Sequence, residues 1–125
     1  MSVTPLTDSV RLGQKARERL LRIKKRTGLQ HWNELCRLAL CYSLRNPAMP
    51  HPPDKTGEGG IDMDWKTFAG PLGDELTLLV RYRAAKDGID VTDREVLSEY
   101  FRRHLERGIV GMLSVRSLRD VVNID

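Results

Sequence analysis

Eight of the sixteen residues from Arg11 to Arg26 are lysine or arginine, and only Glu18 is acidic. Clustered cations bind polyanions, because each neutralised phosphate releases condensed counterions. On a helix, five of these cations would share one narrow arc beside an apolar arc. They are Arg11, Lys15, Arg19, Arg22 and Arg26. The segment therefore predicts a surface for a nucleic-acid backbone, with a basic face that serves solubility alone as the alternative.

A second candidate is the pattern Asp62, Asp64 and Lys66. A Mg²⁺-dependent nuclease needs two or three converging carboxylates and usually a lysine. Residues two apart on a strand point to the same side, so the three would share one face. This pattern carries the hypothesis of a DNA-nicking enzyme. The favoured alternative is the solvated face of a half-buried strand, because nothing else in the chain clearly completes a metal site.

The histidines and cysteines have no metal-ligand spacing, so the sequence predicts no metal and no cofactor. His31 precedes an apolar helix, where it would either cap or stack, or contact a phosphate. His104 lies among arginines and is expected to be structural. Cys36 and Cys41 point in different directions from one helix, which argues against a disulfide between them.

The elements that position these residues are mainly helices. The periodicity predicts a first helix over about 14–26, ended by Gly28, and a second over about 32–44. The segment 10–12 either is extended or already starts the first helix. The second helix is apolar over more than half of its circumference, which predicts burial on several sides. In a chain this small, such burial predicts packing against a second copy.

The second half continues with helices after a loop rich in proline and glycine. We expect a linker at 47–60, a short strand from Ile61, a helix at about 74–87 and a last helix to about residue 107. Thr92 and Glu95 match a capping box at the start of that helix, and Gly108 would end or kink it. The expected buried faces include Leu79 and Val96.

Charge divides the chain in the same way. Residues 1–46 carry a net charge of +7 and residues 47–125 carry −3. We expect a basic DNA-binding region at 1–46, the linker at 47–60 and a C-terminal helical lobe at 61–125, within one compact domain. The sequence lacks a secretory signal and a membrane span, which predicts a cytoplasmic protein.

A short N-terminal segment, a basic helix, the turn Thr27-Gly28 and an apolar helix together resemble a ribbon-helix-helix arrangement. In that fold two chains pair their N-terminal strands, and their helices form the dimer core. Such a fold also occurs in repressors and antitoxins, which gives another alternative function. Pro5 cannot donate a ladder hydrogen bond, so we expect contacts to the DNA backbone rather than reading of bases.

Three ordered segments carry a longer resemblance. They are QKARERLLRIKKRTGLQHWNELCRLALCYSLRNP from residue 14, then DMDWKTFAG, then SEYFRRHLERGI. Together they resemble DndE, the small subunit of the DNA sulfur-modification (phosphorothioation) system. The resemblance implies a non-enzymatic DNA-binding subunit, dimeric or tetrameric. It would act beside a cysteine desulfurase and the sulfur-transferring and ATPase subunits, on duplex or nicked DNA.

The resemblance also implies which residues meet DNA. In that family a surface rich in lysine and arginine contacts the DNA. The matching positions here are Lys15, Arg17, Arg19, Arg22, Lys24, Lys25 and Arg26.

Overall fold

The computed structural model describes residues 3–52, 59–117 and 119. The chain is mainly helical, as predicted, with one small two-stranded sheet. In chain order the elements are β1 (Ser9–Leu12), α1 (Gln14–Thr27), α2 (Trp32–Leu44), β2 (Ile61–Asp64), α3 (Trp65–Ala69), α4 (Gly73–Lys86) and α5 (Arg94–Met112), with a 3₁₀ turn at Gly70–Leu72 between α3 and α4. Part of the expected linker, residues 53–58, lies outside the described residues.

The N-terminal segment is extended and pairs within its own chain. β1 runs antiparallel to β2, with Leu12 opposite Ile61 and Val10 opposite Met63. Val10 and Leu12 point into the core. A Cβ on Gly60 would lie 1.8 Å from the Leu12 carbonyl oxygen, so only glycine lets the returning chain approach β1. This pairing differs from the ribbon-helix-helix expectation, in which the first strand pairs with a second chain.

Helix α1 follows its predicted pattern. Ala16, Leu20 and Ile23 are fully buried, and the helix ends at Gly28, whose φ is 77°. The Gly28 N–H donates to the Lys24 carbonyl at 3.0 Å, a left-handed C-terminal cap that favours glycine. Of the two alternatives for residues 10–12 the extended one is confirmed, so Arg11 lies on β1 and outside the helical arc.

Helix α2 is buried on several sides, as predicted, but its own chain covers it. It packs chiefly against α5, and also against α3 and α1. Gly108 makes the approach of α5 possible, because a Cβ there would lie 1.7 Å from the Ala39 carbonyl oxygen. Gly108 was expected either to end or to kink the helix, and it does not end it, since α5 continues to Met112. Burial of α2 therefore does not require a second copy.

The start of α5 is shifted by one residue from the predicted capping box. Asp93 is the N-cap, and its Oδ1 accepts hydrogen bonds from the Glu95 and Val96 backbone N–H groups at 3.0 and 3.2 Å. Thr92 instead donates its hydroxyl to Asp90 at 2.6 Å. Asp93 therefore caps α5 in place of the predicted Thr92. Both side chains can accept the capping hydrogen bond, but the Asp93 carboxylate also interacts favourably with the helix dipole.

An aromatic cluster joins the second half of the chain. The ring centroids of Trp65, Phe68 and Phe101 lie 5.3 to 5.7 Å apart in tilted and edge-to-face arrangements.

Two residues expected in the core are exposed instead. Leu79 on α4 and Val96 on α5 lie on the outer faces of their helices. No helix among the described residues is both long and apolar enough to cross a membrane.

Candidate nucleic-acid interface

The predicted phosphate-binding residues form one surface around the outside of α1. We call them the α1 cation surface: Lys15, Arg17, Arg19, Arg22, Lys24, Lys25 and Arg26. All are exposed except Arg19 and Lys24, which are half-buried. The buried stripe of α1 anchors the helix to the core, so these side chains project from a fixed support.

The α1 cation surface is not neutralised by the described part of the chain. Within residues 3–52, 59–117 and 119, no carboxylate lies within 4.0 Å of its side-chain nitrogens. The one acidic residue of α1, Glu18, accepts a hydrogen bond from the Gln14 amide at 3.4 Å. Arginines that serve the fold differ, since Arg83 pairs with Asp87 at 3.2 Å. The exposed cations of α1 are thus available to an anion from outside.

Two of these cations also contact their own chain. Arg26 donates from Nη1 to the Leu113 carbonyl at the end of α5. The Lys24 ammonium lies 5.1 Å from the centroid of the Trp32 ring, a cation–π contact. Lys15, Arg17, Arg22 and Lys25 have no such internal contact among the described residues, so they are the members freest to meet phosphate.

The exposed edge of α1 has the length of a short stretch of duplex. Lys15, Arg19, Arg22 and Arg26 follow one another along the helix over about 16 Å. One strand of B-DNA presents roughly five phosphates over that length of its axis. Arg17 and Lys24 lie on the opposite flank of the buried stripe, so cations are present on both sides of the helix.

Arg102 on α5 is a further cation near the same buried carboxylate as Arg19, and it was not identified from the sequence. It is exposed, and like Arg19 it acts electrostatically on the buried carboxylate of Glu106. Burial raises the pKa of Glu106, and the two arginines oppose that rise. Glu106 Oε1 has no hydrogen-bond partner among the described residues. The three arginines of SEYFRRHLER were the available signal, but their periodicity alone does not indicate that they lie near α1.

A shallow cleft of about 440 Å³ opens beside the α1 cation surface. Leu21 and Leu29 give it an apolar floor, and Arg22, Lys24 and Lys25 form a charged rim. Leu21 is an apolar residue on the otherwise polar outer face of α1, and it is 41% exposed. Apolar contact to sugars or bases is therefore available beside the phosphate contacts.

His31 lies at the start of α2, where it was expected either to cap or to meet phosphate. It occupies the N-cap position, but its side chain makes no capping hydrogen bond. Its Nε2 lies 4.0 Å from Glu34 Oε1, and the His31 side chain is 70% exposed. The Glu34 carboxylate in the first turn of α2 opposes an incoming phosphate, which weakens the case for a phosphate site at this helix end.

The three residues of the nuclease hypothesis do not share a strand face. Asp62 lies on β2 and pairs with Arg11 at 3.5 Å on the exposed surface. Asp64 caps α3, accepting from the Thr67 N–H at 2.7 Å, and these hydrogen bonds with Thr67 lower its pKa. Lys66 lies in α3, so its predicted place on the strand was wrong. Among the residues described, no three His, Cys, Asp or Glu side chains are grouped to hold a metal ion.

His104 was expected to be a satisfied structural residue, but only one of its ring nitrogens has a close partner, and Nε2 has none among the described residues. It is fully buried, and its Nδ1 lies 2.8 Å from the Ser43 hydroxyl. Burial, with Arg107 and Arg83 nearby, lowers its pKa to about 4, so it is neutral at physiological pH. Arg107 donates to the carbonyls of Ser43 and Ala48 at 2.9 and 2.7 Å, and so fixes the chain that leaves α2.

Both cysteines are free thiols. Cys36 is buried under α5, and burial raises its pKa to about 12. Cys41 is exposed on α2, and partial desolvation raises its pKa too. Neither thiol is activated as a nucleophile.

A family model described as "DNA sulphur modification protein DndE" matches residues 9–120, a range that includes all the helices and strands found among the described residues. The chain belongs to the DndE family. The resemblance read from the three sequence segments is thereby confirmed, and membership associates this DndE-family protein with DNA sulfur modification. No curated protein matches the chain.

Proposed function

We propose that this DndE-family protein is a cytoplasmic, non-enzymatic subunit of a phosphorothioation system that binds duplex or nicked DNA through the α1 cation surface. It acts as a homo-oligomer beside the subunits that carry out the sulfur chemistry. Family membership supports the association with DNA sulfur modification. Helix α1 of the N-terminal region provides the contact, and the paired strands of a ribbon-helix-helix dimer have no part in it, because β1 pairs within its own chain.

One observation carries the proposal. Lys15, Arg17, Arg22 and Lys25 are exposed on a helix whose other face is locked into the core, and no described carboxylate neutralises them. Cations that served the fold would be paired or buried, as Arg83 is. The backbone that carries these cations is already fixed, so binding phosphate orders only their side chains.

The mode of contact sets the expected specificity. Phosphate contacts carry no base information, so unrelated duplexes of equal length should bind with similar affinity. Three phosphate contacts per copy give a log–log salt slope of about −3, and two copies on one duplex give about −5. A repressor would instead discriminate its operator from random duplex by roughly 10³-fold or more.

The test is a fluorescence-anisotropy titration of unrelated duplexes at several salt concentrations. We expect Lys15→Ala with Arg22→Ala to weaken all duplexes by the same factor and to make the salt slope shallower by about 2 per copy. The control pair, Lys66→Ala with Arg81→Ala, removes the same charge from α3 and α4. Equal weakening by the control pair, or no change in the α1 pair, would refute the proposed surface. Arg26 is left intact because its contact with Leu113 serves the fold.

A further inference from the structure

Helix α4 presents an apolar stripe to solvent. Leu78, Leu79 and Tyr82 are 55%, 46% and 66% exposed, and all three lie on the outer side of the helix. The inner side is buried in the ordinary way, through Leu76 and Val80. We call Leu78, Leu79 and Tyr82, with the charged residues Glu75 and Lys86 at the two ends, the α4 stripe.

The α4 stripe serves neither the core nor the proposed DNA contact. Its large apolar side chains are concentrated on one helix face, whereas isolated exposed leucines are common on protein surfaces. Contiguous apolar patches on a soluble chain mark interaction surfaces. A polyanion would gain nothing from two leucines beside a glutamate.

The charges of the stripe are self-complementary. Glu75 lies in the first turn of α4 and Lys86 in the last, about 16 Å apart on the same side. If a second α4 lies antiparallel with Leu79 opposite Tyr82, each Glu75 meets Lys86 of the second copy. The Lys86 ammonium already lies 5.6 Å from the centroid of its own Tyr82 ring, so it is directed along the stripe.

We propose that the α4 stripe is the surface through which two copies of this chain associate, antiparallel and about a two-fold axis. A two-fold interface requires one patch that complements itself, and the charges of the α4 stripe meet that requirement. The inference deepens the homo-oligomer of the proposed function and is independent of the DNA contact. It places the interface between copies on α4 and not on α2, because α5 of the same chain already covers α2.

The size of the stripe indicates a reversible association. A helix of 14 residues is about 21 Å long and about 10 Å wide, so a single helix pair buries less area than the roughly 800 Å² per partner of a standard interface. We therefore expect a dissociation constant in the micromolar range, and a mass that rises with concentration.

Sedimentation of the full chain without DNA, at about 1 to 200 µM, tests this. We expect the wild type to rise above its monomer mass of 14.3 kDa. Leu79→Glu and Tyr82→Glu should each weaken association by about 100-fold or more, since each substitution acts twice in a symmetric dimer. Val110→Glu, an exposed apolar position on α5, is the matched control and should associate like the wild type.

Charge reversal tests the antiparallel arrangement itself. Glu75→Lys or Lys86→Glu alone places like charges together twice per dimer, and should weaken association by about tenfold. Mixing the two single variants places opposite charges at both ends again, so the mixed sample should associate more tightly than either variant alone. A merely unstable variant would not be rescued in this way.

Three outcomes would overturn the inference. They are a wild type that stays monomeric throughout, an oligomer that both the Leu79 and Tyr82 variants leave unchanged, and single charge variants that mixing does not rescue. Failure of the DNA proposal is seen separately, because anisotropy reports DNA affinity and the mass is measured without DNA.

Discussion

Replacement of Gly108 by alanine should destabilise the protein more than any other single methyl addition at a described helical glycine. The new Cβ would lie 1.7 Å from the Ala39 carbonyl oxygen and 2.4 Å from its carbon, and both atoms belong to the α2 backbone. An ordinary contact needs roughly 3.5 Å, so α5 must move away from α2 across their main contact.

The magnitude follows from two opposing effects. Alanine gains about 1 kcal/mol over glycine in a helix interior. Overpacking typically costs about 1–3 kcal/mol, and a clash with fixed backbone falls at or above the upper end of that range. We therefore expect a net loss of about 2–4 kcal/mol in the free energy of unfolding, measured by urea denaturation with circular dichroism.

Gly111→Ala is the matched control, one turn further along α5. Its Cβ would meet the Tyr42 ring at 2.8 Å, and a side-chain ring can rotate away, so we expect a change within about 1 kcal/mol. Ala39→Gly should not rescue Gly108→Ala, because the clash is with the Ala39 backbone. Equal stability of Gly108→Ala and wild type, or rescue by Ala39→Gly, would refute the reasoning.

Three further predictions concern the buried histidine, the helix start and the thiols. The pKa of His104 is lowered from 6.5 to about 4 in the folded protein, so the unfolded chain binds a proton first as the pH falls. The free energy of unfolding should therefore be at its maximum above about pH 6.5 and should fall by up to about 3 kcal/mol towards pH 4. In His104→Gln the free energy of unfolding, measured with urea, should depend less on pH over this range. Asp93→Ala should lower the free energy of unfolding by about 1 kcal/mol, and Thr92→Ala by less than half of that, in thermal or urea unfolding. A larger loss in Thr92→Ala than in Asp93→Ala would instead support Thr92 as the N-cap, as the sequence predicted. A thiol reagent followed by mass spectrometry should modify Cys41 in the folded protein and Cys36 only after unfolding, because Cys36 is buried, and rapid labelling of Cys36 would contradict that burial.

Local signals in the sequence were sufficient to predict the positions of the first two helices. The spacing of Ala16, Leu20 and Ile23 gave the buried face of α1, and Gly28 gave its end. These features depend on residues within one or two turns of each other, where helical periodicity applies directly. For the same reason the exposure of most cations of α1 followed from their angle to the buried stripe, whereas their contact with DNA stays a prediction.

Features that depend on distant residues were not predictable in this way. Nothing near Leu12 indicates that Ile61 is its partner, and nothing near Ala39 indicates that Gly108 lies against it. The apolar circumference of α2 was therefore assigned to a second copy, although α5 of the same chain covers it. Lys66 was misplaced because the strand of alternating residues ends at Asp64, where the carboxylate starts a helix.

The pairing of β1 with β2 also bears on the order in which the molecule can be assembled. The two strands are separated by about fifty residues, and such long-range contacts form late because loop closure opposes them. The second strand must therefore be synthesised before the sheet can form. A chain severed in the proline- and glycine-rich stretch should leave two fragments that fold only in each other's presence, a complementation that nuclear magnetic resonance of the mixed halves would reveal.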